Sequence, residues 1–141
     1  MLTLQYTLDG NAKQKLDPIA DDRLTTQMLD ETVSILLNRT RQRYLAEVDP
    51  EGKPWPPSQA GIKRRSKGGT GTLFDTGRLF RSIQLVASSP TERVIGTDVP
   101  YAAKHQYGLD GLPVRAFLGV NQEDLFLVDQ RLQQLVNRAT S

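Results

Sequence analysis

The sequence contains no cysteine and only one histidine. The absence of cysteine excludes disulfides, thiolate nucleophiles and the common structural zinc sites. With a single histidine, a metal centre would have to rely on carboxylates, and no Asp/Glu cluster has a ligand spacing such as that of an EF-hand loop. We therefore expect neither a metal nor a cofactor.

Long apolar runs are also missing. No stretch approaches the ~18 apolar residues that a membrane-spanning helix needs. The N-terminal residues MLTLQYTLDG alternate and are only mildly apolar, which is not the pattern of a signal peptide. From these features we expect a soluble protein, made in a cytoplasm, that does not contact a membrane.

The net charge is small, +2, but it is unevenly distributed along the chain. Residues 1–35 carry a net charge of −3, residues 36–81 carry +6 and residues 82–141 carry −1. Such a basic middle between acidic ends suits an anionic partner or an oppositely charged copy of the same chain. The length of 141 residues, with 38% hydrophobic residues, indicates one domain, residues 1–141, with a modest core.

The apolar pattern predicts two long helices and a small antiparallel sheet. Alternation over residues 2–8 indicates a strand, and helical spacing predicts a helix from about 18 to 47 that begins after an Asp17 N-cap. A hairpin over residues 83–95 and a last helix from Asn121 to about 138 follow. This order predicts an α+β domain whose sheet is covered by the two helices.

The same periodicity predicts which side chains of the two helices face the core. For the first helix they are Leu24, Met28, Val33, Leu36, Leu37, Tyr44, Leu45 and Val48, and for the last they are Leu125, Val128, Leu132, Leu135 and Val136.

The segment from Asp49 to Thr76 shows neither periodicity. It holds four of the eight prolines, five glycines and the basic run Lys63-Arg64-Arg65-Ser66-Lys67. An irregular stretch of this length in a compact domain is usually a functional arm or a disordered segment. We expect Trp55, which lies between two prolines, to anchor a stiff turn, and the basic run to bind either an acidic neighbouring subunit or a few phosphates of a nucleic acid.

The glycine-rich sequence KGGTGT, residues 67–72, raises the possibility of a phosphate-binding loop. A Walker loop ends in Gly-Lys-Ser/Thr and opens a helix, whereas Lys67 precedes the glycines here. We therefore favour a flexible loop tip over a nucleotide site.

The lone histidine, His105, lies in the sequence PYAAKHQYGLDGLPVRAFLGV. A catalytic base would need an orienting carboxylate and a nucleophile or activated water. The nearby candidates are the carboxylates Asp98 and Asp110 and the hydroxyls Ser82, Ser88 and Ser89, and none stands in a nucleophile elbow.

A structural role for His105 is the alternative that we favour. A short helix from Tyr101 to Tyr107 would place Tyr101 and His105 on one face, and Gly108 would end it in a left-handed conformation. The imidazole would then bridge backbone groups. We expect Arg115 to pair with a carboxylate or to cap carbonyls, and Phe117 and Leu118 to pack in the core.

Four motifs follow one another in a specific order. They are Trp55-Pro56, Leu73-x-x-Thr76-Gly77-x-Leu79, Tyr101-Ala102-x-x-His105-Gln106-x-Gly108 and Pro113-x-Arg115-x-Phe117-Leu118-Gly119. This ordered set resembles the phage virion morphogenesis, or tail completion, family of contractile-tailed bacteriophages and their prophages. The likeness covers roughly residues 50 to 138. Ala116 stands where relatives often carry proline. The loop after Trp55 lacks the threonine that relatives often have before the basic residues.

The resemblance implies a structural protein of the virion, not an enzyme, that completes the tail or the head–tail neck. Its partners would be copies of itself in a ring, commonly a hexamer, and tail or neck proteins. We expect a structural turn formed by Tyr101, His105, Gly108, Arg115, Phe117 and Gly119. We expect a subunit or partner interface at Trp55, Lys63, Arg64, Arg65, Lys67 and Phe74. The alternative function is a DNA-contacting packaging or regulatory protein that uses the basic run.

Overall fold

The structure, a computed structural model, describes residues 1–7 and 22–140. In chain order the elements are β1 Leu2–Thr7, α1 Asp22–Ala46, α2 Gln59–Ser66, α3 Arg78–Ser82, β2 Gln84–Ser89, β3 Glu92–Thr97, α4 Ala102–Tyr107 and α5 Gln122–Thr140. The predicted α+β class, with a small antiparallel sheet and long first and last helices, is confirmed. The predicted Asp17 cap lies outside the described residues. None of the helices within the described ranges has the length and apolar content needed to cross a bilayer.

The sheet has the strand order β1-β3-β2, and β3 pairs antiparallel with both neighbours. Ile95 in the middle of β3 lies opposite Leu4 on one side and Leu85 on the other. A Cβ at Gly96 would collide with the carbonyl oxygen of Leu2. Residue 96 must therefore be glycine for β1 to approach β3 this closely.

Helix α1 packs against both α5 and β3, and this contact forms the core. The predicted inward faces are largely confirmed, but Leu45 and Leu125 are 56% and 52% exposed. On α5 the inward stripe runs through Asp124, Val128 and Leu135, all buried. Successive residues of a helix point about 100° apart. Because Asp124 takes the inward position, the next residue, Leu125, faces away from the core.

A buried charged cluster joins the C-terminal half of α1 to the start of α5. Asp124 is fully buried, and its Oδ1 accepts hydrogen bonds from Arg39 Nε and Arg43 Nη1, both at 2.8 Å. Burial alone would raise the pKa of Asp124, but the hydrogen bonds from Arg43 and Arg39 outweigh it and hold this pKa below its ordinary value. Asn121 Oδ1 accepts from the Asp124 amide at 2.7 Å, which confirms the predicted N-cap.

An aromatic cluster surrounds Tyr44 at the end of α1. Its ring centroid lies 5.2 Å from that of Trp55, 5.3 Å from Phe80, 5.8 Å from Phe117 and 6.4 Å from Phe74. The Trp55 indole donates to the Ala116 carbonyl at 2.8 Å and is only 5% exposed. Trp55 thus fixes its turn to the core, as predicted. Its side chain has almost no surface left for a partner, so we leave it out of the interface proposed below.

The segment 49–76 contains a helix, so the prediction that it lacks regular structure is wrong for α2. Ser58 caps this helix by accepting a hydrogen bond from the Gly61 amide at 2.9 Å. A Cβ at Gly61 would lie 2.7 Å from the Thr72 amide nitrogen, so the chain packs back closely on the helix. The one large apolar side chain of α2, Ile62, is 50% exposed. Polar and backbone contacts hold α2, and hydrophobic periodicity therefore gives no sign of it.

Candidate functional site

A groove of ≈640 Å³ lies between α2, the turn before α3, and the segment from α4 to Arg115. Its polar lining combines three arginines with a histidine, a tyrosine and a carboxylate. We call it the arginine groove and define it by Arg64, Asp75, Arg78, Tyr101, His105 and Arg115. The structure thus brings part of the basic run together with three of the predicted turn residues, which lie far apart in the sequence.

The predicted turn around His105 is confirmed in its backbone. Helix α4 places the Tyr101 and His105 rings edge to face, with centroids 6.1 Å apart and an interplanar angle of 83°. Gly108 ends the helix in the left-handed conformation, with φ 66° and ψ 48°. The His105 carbonyl accepts a hydrogen bond from the Arg115 amide at 2.8 Å, which closes the turn.

The imidazole itself does not form the bridge between backbone groups that the sequence predicted. Its Nδ1 is buried and has no hydrogen-bond partner among the described residues. Burial lowers the pKa of His105, and the positive charges of Arg115 and Lys104 lower it further. Its surroundings therefore disfavour the protonated, charged form of the side chain.

The arrangement around His105 gives no support to the catalytic interpretation. Within residues 1–7 and 22–140, the imidazole makes no hydrogen bond to a hydroxyl or a carboxylate. The hydroxyl of Ser82 is instead hydrogen-bonded to Thr97 Oγ1 at 2.5 Å and donates to the Leu79 carbonyl at 2.6 Å. The same ranges contain no cluster of three or more His, Asp or Glu side chains suited to holding a metal ion.

Arg115 is 6% exposed and caps a carbonyl, which was one of its two predicted roles. Its Nε donates to the Pro56 carbonyl at 2.6 Å. No carboxylate pairs with it in the described part of the chain, and burial lowers its pKa. The predicted core positions of Phe117 and Leu118 are confirmed, with 0% and 7% of each residue exposed.

Gln106, which the sequence placed in a motif without a role of its own, is a structural residue of this turn. Its Oε1 accepts from the amides of Phe117 and Leu118, each at 3.1 Å, and its Nε2 donates to the Leu118 carbonyl at 2.8 Å. It thus clamps α4 onto the segment before α5. The neighbouring Gly119 allows a close approach, since a Cβ there would lie 2.6 Å from Pro50 Cγ.

Two of the four cations of the basic run bind their own chain. Arg64 Nη2 donates to the Gly71 carbonyl at 2.6 Å, and Arg65 Nη2 lies 2.5 Å from Glu47 Oε2. Lys63 and Lys67 are exposed and have no ion pair within the described residues, and 57% of the Arg65 side chain is also exposed. The arm is therefore shorter and less cationic than predicted, which weakens the DNA-contacting alternative.

The glycine-rich loop 67–72 is fastened rather than open. Glu47 Oε1 accepts from the Thr72 amide at 2.6 Å, and the Gly69 amide donates to the Arg64 carbonyl at 2.8 Å. Amides that a phosphate could use are thus occupied by the protein's own oxygens. The occupied amides therefore argue against a nucleotide site. They also fasten a loop that the sequence predicted to be a flexible tip.

Phe74, the remaining predicted interface residue, is half-buried. Its ring lies 5.2 Å from that of Phe80 and 6.4 Å from that of Tyr44. It belongs mainly to the aromatic cluster around Tyr44 and offers one partly open edge.

The unequal charge distribution is partly compensated within one chain. Arg39 and Arg43 of the basic middle pair with the C-terminal carboxylates Glu123, at 3.3 Å, and Asp124, at 2.8 Å. These cations are unavailable to another copy. Charge contacts between subunits, which the sequence suggested, would have to use other cations of the basic middle.

A model of the phage virion morphogenesis family matches residues 9–137, nearly the whole chain. Searches among curated proteins and among solved structures found no match. The matched range contains every residue of the arginine groove and of the turn around His105. The chain therefore belongs to the phage virion morphogenesis family, and its role is a structural one in the assembly of the phage particle.

Proposed function

We propose that the protein completes the phage tail or the head–tail neck as a subunit of a ring of identical copies, without enzymatic activity. A hexamer is the ring size that the family resemblance implies. The proposal places the protein in the finished virion, after assembly in the host cytoplasm, next to tail or neck proteins.

The observation that carries this proposal is the grouping of exposed apolar side chains. In the segment that runs from the end of α4 to residue 114, Tyr107 is 60%, Leu109 46% and Val114 57% exposed. On α5, Phe126 is 59% exposed and lies beside the exposed Leu125. Single exposed apolar residues are common, but groups of them mark interaction surfaces.

We call residues 107–114 the turn patch and residues 125–126 the helix patch. In a ring, each copy contacts its neighbour through two different surfaces. Two separate apolar patches on one chain provide what such a head-to-tail interface requires. They take the role of interface residue that the sequence assigned to Trp55, since that side chain is buried in its own subunit.

The basic face of α2 adds a polar contribution to the proposed interface. Lys63 lies on α2 and Lys67 follows the last residue of the helix, both are exposed, and Ile62 beside Lys63 is 50% exposed. Each exposed ion pair that they form would contribute only about 0–1 kcal/mol. The apolar patches must therefore supply most of the free energy of association.

A genetic complementation experiment tests the proposed function. In the phage that encodes the protein, loss of the gene should leave separate heads and tails, and the wild-type gene should restore joined, infectious particles. Phe126→Ser and Val114→Ser should restore few particles, because they weaken the proposed contacts. Leu45→Ser is the matched control, since Leu45 is 56% exposed but lies in neither patch. The proposal would be refuted if joined particles formed without the gene, or if all three variants restored the same number of infectious particles.

A further inference from the structure

Three guanidinium groups line the arginine groove, and none of them has a carboxylate partner. Within the described residues, Arg64 bonds to the Gly71 carbonyl, Arg115 bonds to the Pro56 carbonyl, and Arg78 lies over the Tyr101 ring at 5.9 Å from its centroid. The ion pairs of the described chain involve other cations. The groove is therefore a concentration of positive charge that its own fold does not neutralise.

Arg115 adds unused hydrogen-bond donors to the groove. It is 6% exposed, yet the only bond of its side chain within the described ranges is from Nε to a carbonyl, so the outer edge of its fork of N–H donors is unused. The buried Nε of Arg64 and the buried Nδ1 of His105 also lack partners in the described ranges. Buried polar atoms without partners are rare in folded proteins and indicate a missing ligand or partner group.

We propose that the arginine groove binds the side-chain carboxylate of an acidic peptide segment from another protein of the phage particle. The planar fork of an arginine matches a carboxylate in geometry and charge. The apolar side chains of Leu73, Leu79 and Leu112 line the same groove, so they give an apolar residue beside the acid a place to pack.

The walls favour a peptide over a nucleic acid. Asp75 lines the groove and carries a negative charge, which repels a polyanionic backbone but leaves room for a single carboxylate. If a nucleic acid were bound, the apolar walls would also remove water from charged phosphates without offering them hydrogen bonds. A peptide that presents one carboxylate next to an apolar side chain fits both features.

Charge also favours a partner of different sequence over a second copy. The chain has a net charge of +2, so the net charge adds a small repulsion between two copies and attracts an acidic protein. This inference rests on the proposed function, because assembly of the particle is what brings the protein into contact with such a partner. The groove shares Leu112 with the turn patch and has no lining residue in the helix patch.

A binding measurement with defined peptides tests this inference. We would titrate the full-length protein into a fluorescent, terminally blocked peptide that carries one Glu between two Leu residues, and follow fluorescence anisotropy. The matched peptide carries Gln in place of Glu and lacks the carboxylate. We expect the acidic peptide to bind at least about tenfold more tightly, because hydrogen bonds to charged groups stabilise more than neutral ones.

Substitutions of single arginines test whether the peptide binds in the groove. Arg78→Gln removes a groove guanidinium from an exposed position and should weaken the acidic peptide about tenfold. Arg81→Gln removes an exposed arginine of the same helix that does not line the groove, and should leave binding unchanged. Arg115→Lys keeps the charge but loses the fork, and should also weaken binding. Circular dichroism would establish that each variant is folded.

Each other occupant corresponds to a distinct outcome. If a DNA duplex binds with the same dependence on Arg78 and the acidic peptide does not bind, the ligand is a phosphate and the proposal is overturned. If Arg78→Gln lowers the mass of the protein's own oligomer, the occupant is a second copy, which also overturns it. Failure of the peptide to bind while rings still form would remove this inference and leave the proposed function intact.

Discussion

A fully buried carboxylate, Asp124, receives two guanidinium groups from a helix more than eighty residues earlier in the chain. Its charge is tolerated because Arg39 and Arg43 surround it and because it shares reciprocal hydrogen bonds with Asn121. Removing one partner of such a cluster leaves the other charges buried without compensation. At the residue scale, Asp124 therefore joins α1 to α5.

Asp124→Asn should lower the free energy of unfolding by about 3–5 kcal/mol, the usual cost of breaking a buried ion pair. Chemical denaturation followed by circular dichroism measures this change. Glu123→Gln is the control, because Glu123 also pairs with Arg39 but its side chain is 67% exposed. Its effect should stay below about 1 kcal/mol. Equal effects of the two substitutions would show that Asp124 has no special role.

His105 should make the stability depend on pH. Burial lowers its pKa in the folded protein below the ordinary value of 6.5, so the unfolded chain binds more protons between those two values. Its contribution to stability is complete above 6.5 and decreases as the pH falls through that window. Urea unfolding over a pH series should show this loss in the wild type. His105→Phe, which cannot be protonated, should show a smaller slope, and an unchanged slope would contradict the assignment.

At the scale of the elements, Gly96 controls whether β1 joins the sheet. A side chain there would strike the Leu2 carbonyl oxygen, which occupies the space that a Cβ would need. Gly96→Ala should therefore displace β1 and cost about 1–3 kcal/mol, the usual penalty for overpacking. Hydrogen exchange of the backbone amides separates the two edges of the sheet. We expect faster exchange in β1 and little change in β2, whereas uniform protection would argue against the contact.

Helix α2 should depend on Glu47, which binds both Arg65 and the Thr72 amide. Glu47→Ala should release the glycine-rich loop, so that trypsin cuts the basic run 63–67 several-fold faster. Limited proteolysis with mass spectrometry of the fragments measures this rate. Glu51→Ala is the control, because Glu51 is exposed and its side chain has no described ion pair. Equal cleavage of both variants would mean that α2 is held by something else.

The elements that the sequence predicts correctly are those with an apolar period or a local cap. The alternation of β1, the stripe of α1, the Gly108 ending of α4 and the Asn121 cap of α5 are all visible in neighbouring residues. Helix α2 is missed because its contacts come from Glu47 and Thr72, outside the helix. The groove is missed for the same reason, since Arg64 and Arg115 meet only in the folded chain.

At the scale of the whole molecule, the fold presents its apolar surface in two places. The turn patch follows α4, and the helix patch lies near the start of α5. The family match gives this surface its meaning, because a protein that builds a phage particle must bind other subunits. The sequence predicted the family and a structural role in the phage particle, whereas the exposed patches emerge only from the fold.

The proposed ring should be visible in the mass of the purified protein. Native mass spectrometry should record closed multiples of the 15.7 kDa chain larger than a dimer, alone or after addition of purified tails. Phe126→Ser should shift the population towards the monomer, because it removes the apolar surface of the helix patch. Leu45→Ser should keep the wild-type distribution. A mass distribution that is the same for both variants would separate the helix patch from assembly.

Cryo-electron microscopy of finished particles tests the central claim most directly. We predict a closed ring of copies of this fold at the tail end or the neck, with the turn patch and the helix patch of adjacent copies in contact. Particles that lack the chain, or that carry a single copy with both patches facing solvent, would contradict the account.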